Sequence, residues 1–186
     1  MKVSREQVAA NRRRILDAAR RLFRERGIVG VSVAEVMQAA KLTHGAFYGY
    51  FGSKDDLLAQ AFDDADQSTG TTWDDKARRA YLDRYLSDAH RDDPGDGCVF
   101  AALSHDAATG APRLRGVMTS RLERFVAALS FAADGTDAAT RRRNAAADVA
   151  TIVGAVVLAR LADEPALSDE ILAAARTRLL ATGDPE

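Results

Sequence analysis

An all-α fold of about nine helices is what this 186-residue chain predicts. Three observations lead there. Apolar residues recur at i, i+3, i+4 and i+7 in almost every segment and alternate in almost none. The breaks in that pattern fall at short stretches rich in glycine, proline and aspartate. Helix-start signals head several segments, most completely in Ser32-Val-Ala-Glu35, where a serine can cap and a glutamate can reach back from the third helical position.

The elements follow in order. From Arg12 to Arg26, Ile15, Ala18, Ala19, Leu22 and Phe23 make one apolar face, and Gly27 fits the helix end. Ser32 opens a short second helix ending near Ala40, with Val31 and Val36 at the staple positions. Only Lys41-Leu42 separates it from a third, which Thr43 can cap and which runs through Tyr50. Ser53 caps a fourth, with Leu57, Leu58, Ala61, Phe62 and Ala65 as its buried stripe. A break is expected at Ser68–Thr72, then a helix from about Trp73 to His90 and a loop over Arg91–Gly97. Cys98–Ala108 reads as helix, broken by Thr109-Gly-Ala-Pro112. A long amphipathic helix carries Leu114, Val117, Met118, Leu122, Phe125, Val126 and Leu129. Two more run from about Ala138 to Ala162 and from about Ser168 to Ala181. No fixed-period repeat or low-complexity tract appears.

Composition sets limits on function. With 47% apolar and 28% charged residues the chain can bury a core unaided, which excludes global disorder. A single cysteine, Cys98, excludes an internal disulfide framework and a cysteine-rich zinc site, and fits a reducing compartment. Net charge is −1, but it is split. Residues 1–54 hold eleven Lys/Arg against four acids, and the rest holds fifteen against twenty-three. A basic head on an acidic body points to a polyanion at one end. The basic N-terminus lacks the apolar run of an export signal. The most apolar stretch, Val149–Ala159, is shorter than the ~20 residues of a membrane span. A cytoplasmic protein without membrane contact is the expectation.

The first three helices have the helix-turn-helix plan, in which a tight turn sets the third helix across the second and offers it to a major groove. Thr43 and His44 can bond base edges there, and Gly45, Ala46 and Gly49 leave room for close backbone approach. Two glycines cost such a helix about 1 kcal/mol each relative to alanine, so the approach must offset them. Phe47 and Phe51, four apart, should face the core. Tyr48 and Tyr50 lie off that face and can give hydroxyls to phosphates. Lys54 stands in the first turn of a helix, against the macrodipole, which a bound phosphate would resolve. The amides at Ser32 can hold another phosphate, and Arg12, Arg13 and Arg14 can reach the DNA backbone. Taken singly, these features also describe solvated faces and half-buried core. Capping box, turn, aromatic spacing and charge agree on one geometry.

These residues also carry a family resemblance. Arg14-Ile-Leu-Asp-Ala-Ala, Leu22-Phe23, Gly27, Val31-Ser-Val-Ala-Glu-Val and Leu42-Thr-His-Gly-Ala-Phe-Tyr-Gly-Tyr-Phe-Gly-Ser-Lys-Asp-Asp-Leu-Leu58 resemble the DNA-binding domain of the tetracycline-repressor (TetR) family over roughly the first 60 residues. The resemblance implies a homodimer that binds a palindromic operator and is released by a small-molecule effector. It implies base contacts at Thr43, His44, Gly45 and Ala46, and phosphate contacts at Ser32, Tyr48, Tyr50 and Lys54. It divides the chain into a DNA-binding domain, 1–54, and a ligand-binding and dimerisation domain, 55–186. Lys41 departs from the glycine the family often carries in the turn. In a left-handed conformation that residue costs about 1–2 kcal/mol.

Beyond residue 60 the resemblance is looser, over Gly97–Leu103, Val153–Arg160 and Leu167–Leu172. The penultimate helix offers a broad surface of small and apolar residues: Ala150, Val153, Gly154, Val157 and Leu161. Ile171, Leu172, Ala175 and Leu179 give the last helix a matching stripe. Two such helices per chain can build a four-helix dimer interface, or close a core within one chain. An effector pocket is expected among Trp73, Tyr81, Tyr85, Cys98, Phe100, Leu103, Met118, Leu122 and Phe125, residues that equally suit plain core. The acidic run Asp63, Asp64, Asp66, Asp74 and Asp75 would favour a cationic effector, or is a solvated face. Cys98, near a helix start, can serve as a thiol sensor or as a small buried residue.

Two other classes compete. Ser104-His-Asp106 carries the residue types of a hydrolase triad, but neighbours on a helix diverge by about 100° and cannot assemble one. His44, His90 and His105 lack metal-ligand spacing, and no phosphate loop or dinucleotide motif occurs, so neither enzyme, metal nor cofactor is expected. A helix-turn-helix used only for protein contact is the second. A steep fall of binding with salt separates it from a DNA reader. Within the DNA reading, repressor is preferred and activator stays open.

Overall fold

Nine α-helices, and no strand, account for most of residues 4–63 and 73–181, the residues the computed structural model describes. The expected break at Ser68–Thr72 lies outside them, as do Asp64, Asp66 and Ala65. By packing, the chain divides into two compact units. Among the described residues, the first joins 4–63 to Pro94–Met118 and the second joins 73–93 to 119–181.

The first unit is built on α1 (Arg5–Arg26), α2 (Val33–Ala39), a 3-10 helix (His44–Gly49) and α3 (Lys54–Asp63). Helix α1 begins two turns earlier than the apolar period suggests. Ser4 caps it, accepting from the Gln7 backbone N–H at 3.1 Å. Its end is Gly27, at φ +71°, a left-handed conformation that glycine adopts without penalty. Ile15, Leu16, Ala19 and Phe23 on α1 pack with Val36 and Met37 on α2, Phe47, Phe51 and Leu57, Leu58, Ala61 and Phe62 on α3.

The same core takes in α6 (Val99–Gly110) through Val99, Leu103 and Ala107, and the start of α7 (Pro112–Ser130) through Leu114 and Met118. The basic head is thus completed by residues far along the chain, and its packing runs past residue 54. Only Ala111 breaks α6 from α7, where a four-residue break is expected. Pro112 can open α7 because the first helical position needs no N–H donor.

The second unit holds α4 (Asp75–Tyr85), α5 (Asp88–Asp92), the rest of α7, α8 (Ala138–Leu161) and α9 (Pro165–Ala181). The single helix expected over Trp73–His90 is two. Ser87 caps α5, accepting from His90 N, after Leu86 ends α4. Helix α9 starts at Pro165 rather than Ser168, again with proline at the first position. Helices α8 and α9 pack along each other. Arg160 on α8 donates to the carbonyls of Arg91 (2.9 Å) and His90 (2.8 Å), tying α5 to α8. Arg78 on α4 pairs with Asp148 on α8.

Helix α8 is apolar on more than one side. Ala145, Val149, Ile152, Val156 and Ala159 are buried, while Val157, Leu158 and Leu161 are exposed. The helix is therefore long and apolar enough to cross a membrane by length and composition, with a mean hydropathy of 1.5 over 18 residues. The eleven residues Val149–Ala159 understate it, because the alanines before Asp148 extend the run. A third of that window is buried inside the protein.

Candidate nucleic-acid interface

The turn between α2 and the 3-10 helix is a Schellman motif. Leu42 N–H donates to the Met37 carbonyl, and Lys41 N–H to the Gln38 carbonyl, both at 2.9 Å. That closure needs a left-handed residue at Lys41, and Lys41 has φ +58°, the only non-glycine with positive φ among the described residues.

The reading segment His44–Gly49 is a 3-10 helix rather than the α-helix expected. Ala46 N–H donates to Thr43 O at 3.1 Å, and Tyr50 N–H to Phe47 O at 2.9 Å. Two glycines in six residues give little α-helical drive, and the packing of Phe47 and Phe51 fixes the segment instead. Their rings stack with centroids 5.8 Å apart, and Phe47 meets Tyr48 edge-on at 5.2 Å. Thr43 occupies the cap position, but its side chain makes no capping bond, contrary to expectation. Its hydroxyl therefore stays on the surface.

Thr43, His44, Gly45, Tyr48 and Gly49 are exposed together, Tyr48 by 75%. Ala46 is half-buried against the core. A Cβ added at Gly45 or at Gly49 would meet nothing within 4 Å. Nothing in the protein's own packing requires either glycine.

The other expected contacts are more committed to the protein itself. Tyr50 is half-buried, and its hydroxyl accepts from Asn11 Nδ2 at 2.9 Å. Asn11 is held in turn by Gln7 and Arg14. Ser32 donates its hydroxyl to Glu35 Oε2 (2.7 Å) and accepts from Glu35 N (3.2 Å), while Ser32 N–H also donates to Glu35 (2.8 Å). The capping box is complete, so a phosphate at this end would meet backbone amides, not the serine hydroxyl. Arg26, exposed, pairs with Glu35. Hydrogen bonds from Arg26 and Ser32 hold the Glu35 carboxyl down at about 2.

Lys54 resolves its conflict with the helix dipole internally. Its ammonium donates to the carbonyls of Ile28 and Val31 and lies 5.5 Å from the Phe23 ring centroid. Burial pushes its pKa down. Arg12 is likewise bound, to Gln60 and over the Phe51 ring. Arg12, Arg13 and Arg14 lie inside α1, not at its start.

The expected pocket residues fall in different units. Trp73, Tyr81, Tyr85 and Phe125 form one aromatic cluster of the second unit, with centroids 4.5 Å (Trp73–Tyr81), 5.5 Å (Tyr81–Phe125) and 5.3 Å (Tyr81–Tyr85). Leu122 of that unit is exposed. Cys98, Phe100, Leu103 and Met118 belong to the first, where Leu103 and Met118 are core. Cys98 is half-buried at the head of α6. A depression of about 320 Å³ lies elsewhere, lined by Arg91, Asp92, Ala159, Arg160, Ala162, Asp163, Pro165 and Ser168. Asp63, Asp74 and Asp75 are exposed.

On α9, Ala175 and Leu179 are buried, at 9% and 2% exposure, in the chain's own core. They serve the intrachain core that the sequence left open as the alternative for that stripe. Ala150, Val157 and Leu161 are exposed, and Val153, Gly154 and Ile171 half-buried. Ser104 donates its hydroxyl back to the Phe100 carbonyl (2.7 Å), and Asp106 accepts from Ile28 N–H, so neither serves a triad. Among the described residues no three His, Cys, Asp or Glu could hold a metal ion.

Comparison with known proteins agrees with this geometry. The family described as bacterial regulatory proteins, tetR family, matches residues 15–61. The HTH-type transcriptional regulator AcrR of Shigella flexneri is 33% identical over 67 residues, 36% of this chain and 31% of that one. The chain thus matches about a third of the length of curated relatives of this kind. The HTH-type regulator Rv0196 of Mycobacterium tuberculosis is 28% identical over 165 residues, 81% of this chain and 84% of that one. A TetR transcriptional regulator from Legionella pneumophila has the same fold, with a TM-score of 0.74 at 17% identity over 99% of this chain and 100% of that one.

Proposed function

We propose, from the premise that this chain belongs to the tetR family of bacterial regulatory proteins, that it represses transcription as a homodimer on a palindromic operator. A small-molecule effector filling the second unit releases it. The reading rests above all on one observation. Gly45 and Gly49 share an exposed surface with Thr43, His44 and Tyr48, and a Cβ added at either glycine would meet nothing within 4 Å. Glycines that weaken a helix and serve no internal contact fit a surface built for close approach by another molecule. The basic charge of residues 1–54 makes that molecule a polyanion.

Within this reading Thr43, His44 and Gly45 meet base edges, and Tyr48 gives its hydroxyl to a phosphate. The amides at the start of α2 take another phosphate. Lys54 and Tyr50 hold the reading segment in place through their bonds to the α1–α2 loop and to Asn11. The exposed face of α8, with Ala150, Val153, Gly154, Val157 and Leu161, pairs with its copy about a two-fold axis. The aromatic cluster around Tyr81 is the place for an effector. The protein works in the cytoplasm without membrane contact and as a binder, not an enzyme.

Selection of bound fragments from random duplex DNA by the purified protein tests this. The expected result is inverted half-sites whose centres lie about 34–36 Å apart or a multiple of it. Affinity should fall by orders of magnitude from about 50 to 200 mM salt. A protein that enriches no duplex over bulk competitor ends the reading.

A further inference from the structure

We propose that Asp106 is a positioning residue of the DNA-reading head, acting through the backbone of Ile28; the proposal rests on the DNA-binding reading above. Asp106 stands on α6, 78 positions beyond Ile28, yet its Oδ2 accepts the Ile28 N–H at 2.8 Å. From the other direction the Lys54 ammonium takes the Ile28 and Val31 carbonyls. Both backbone groups of Ile28 are therefore held by charged side chains, the stronger kind of hydrogen bond.

The local chain is shaped for this contact. Gly27 has φ +71°, and a Cβ there would lie 3.1 Å from Asp106 Oδ2. Asp106 is half-buried, and Leu103 and Ala107 near it on α6 are core residues of the same unit. The loop so clamped leads straight into Ser32 and the capping box of α2, and α2 leads through the Lys41–Leu42 turn into the reading segment. Asp106 thereby sets where α2 and His44–Gly49 stand relative to α1, without itself touching DNA.

The test compares Asp106→Ala and Asp106→Asn with the parent, full length, on the selected operator and on a random duplex. Amide hydrogen exchange at Ile28 is read in the same samples. D106A is expected to lose Ile28 protection and to weaken operator binding about tenfold, the scale of one charged hydrogen bond. Random-duplex binding and its salt slope should not change, because no phosphate contact is lost. D106N keeps an oxygen that can accept from Ile28 and should recover most of both. Should D106A not fold, Asp106→Glu, which misplaces the oxygen, carries the same expectation. A folded variant lacking the bond but binding the operator as the parent does overturns the proposal, as does equal loss on both duplexes. If the parent itself prefers no duplex, it is the DNA reading that fails.

Discussion

Arg78 Nη2 lies 3.1 Å from Asp148 Oδ2, joining α4 to α8, with the two side chains 6% and 17% exposed. Taking two charges out of water is costly, so the pair specifies which helices meet more than it adds stability. Burial pushes the Asp148 carboxyl above its ordinary range, against the opposing pull of Arg78. Removing Asp148 takes from the buried Arg78 guanidinium the carboxylate that joins α4 to α8. Asp148→Ala is expected to destabilise the protein by ~3 kcal/mol, and Arg78→Met with Asp148→Leu to recover most of that loss. Urea unfolding of the two variants checks it.

Gly45→Ala separates folding from reading. A methyl there meets nothing within the protein, so stability should rise by up to about 1 kcal/mol. Operator binding should fall at the same time if, as proposed, this surface approaches the bases. Thermal unfolding and a binding titration on one sample give both numbers. A variant that gains stability and keeps its affinity would remove the reason given for the glycine.

Lys41→Gly relieves a left-handed lysine at the Schellman closure. Relief of about 1–2 kcal/mol, less the extra freedom glycine gives the unfolded chain, predicts a net gain of about 0.5–1 kcal/mol. The urea midpoint should rise with unchanged slope.

The Glu35 capping box makes stability depend on acid. Its carboxyl pKa is lowered from 4.5 to about 2 in the folded protein, so the folded state holds the proton less tightly than the unfolded one. The contribution is whole above about pH 4.5 and is lost as pH falls towards 2. Parent and Glu35→Gln should differ in urea midpoint at neutral pH and converge between pH 4.5 and 2. A gap that stays constant over that range would show that the charge of Glu35 contributes nothing.

Leu161, 73% exposed, and Leu179, 2% exposed, separate two roles on neighbouring helices. Leu161→Asp should give a folded monomer by sedimentation and weaken operator binding. Leu179→Asp should unfold the second unit, because it buries a charge in that unit's own core.

Helix periods and caps were legible where the signal is local. The capping box at Ser32, the turn at Lys41-Leu42 and the Phe47–Phe51 pair all stand as the spacing predicts. The start of α1 had its own local signal in Ser4-Arg-Glu-Gln7, outside the apolar period. What local pattern could not supply is the choice between equivalent partners. Ala175 and Leu179 look as suited to a second chain as to this one, and only the fold shows them buried within it. Lys54 looks like a cation awaiting phosphate until the Ile28 and Val31 carbonyls are seen beside it. The bond from Asp106 to Ile28 spans 78 positions and has no sequence signature at all. The segment His44–Gly49 takes a 3-10 form because its two glycines weaken the drive for an α-helix and two phenylalanine rings set its place.

The first unit is discontinuous in sequence, closing only when Val99, Leu103 and Leu114 join the helices that precede residue 63. During synthesis the head cannot finish its core until the ribosome has passed residue 118. Grafting it onto another body therefore means transplanting two segments, and a fragment cut at residue 54 would carry the reading surface without the α3, α6 and α7 side chains that bury its inner face.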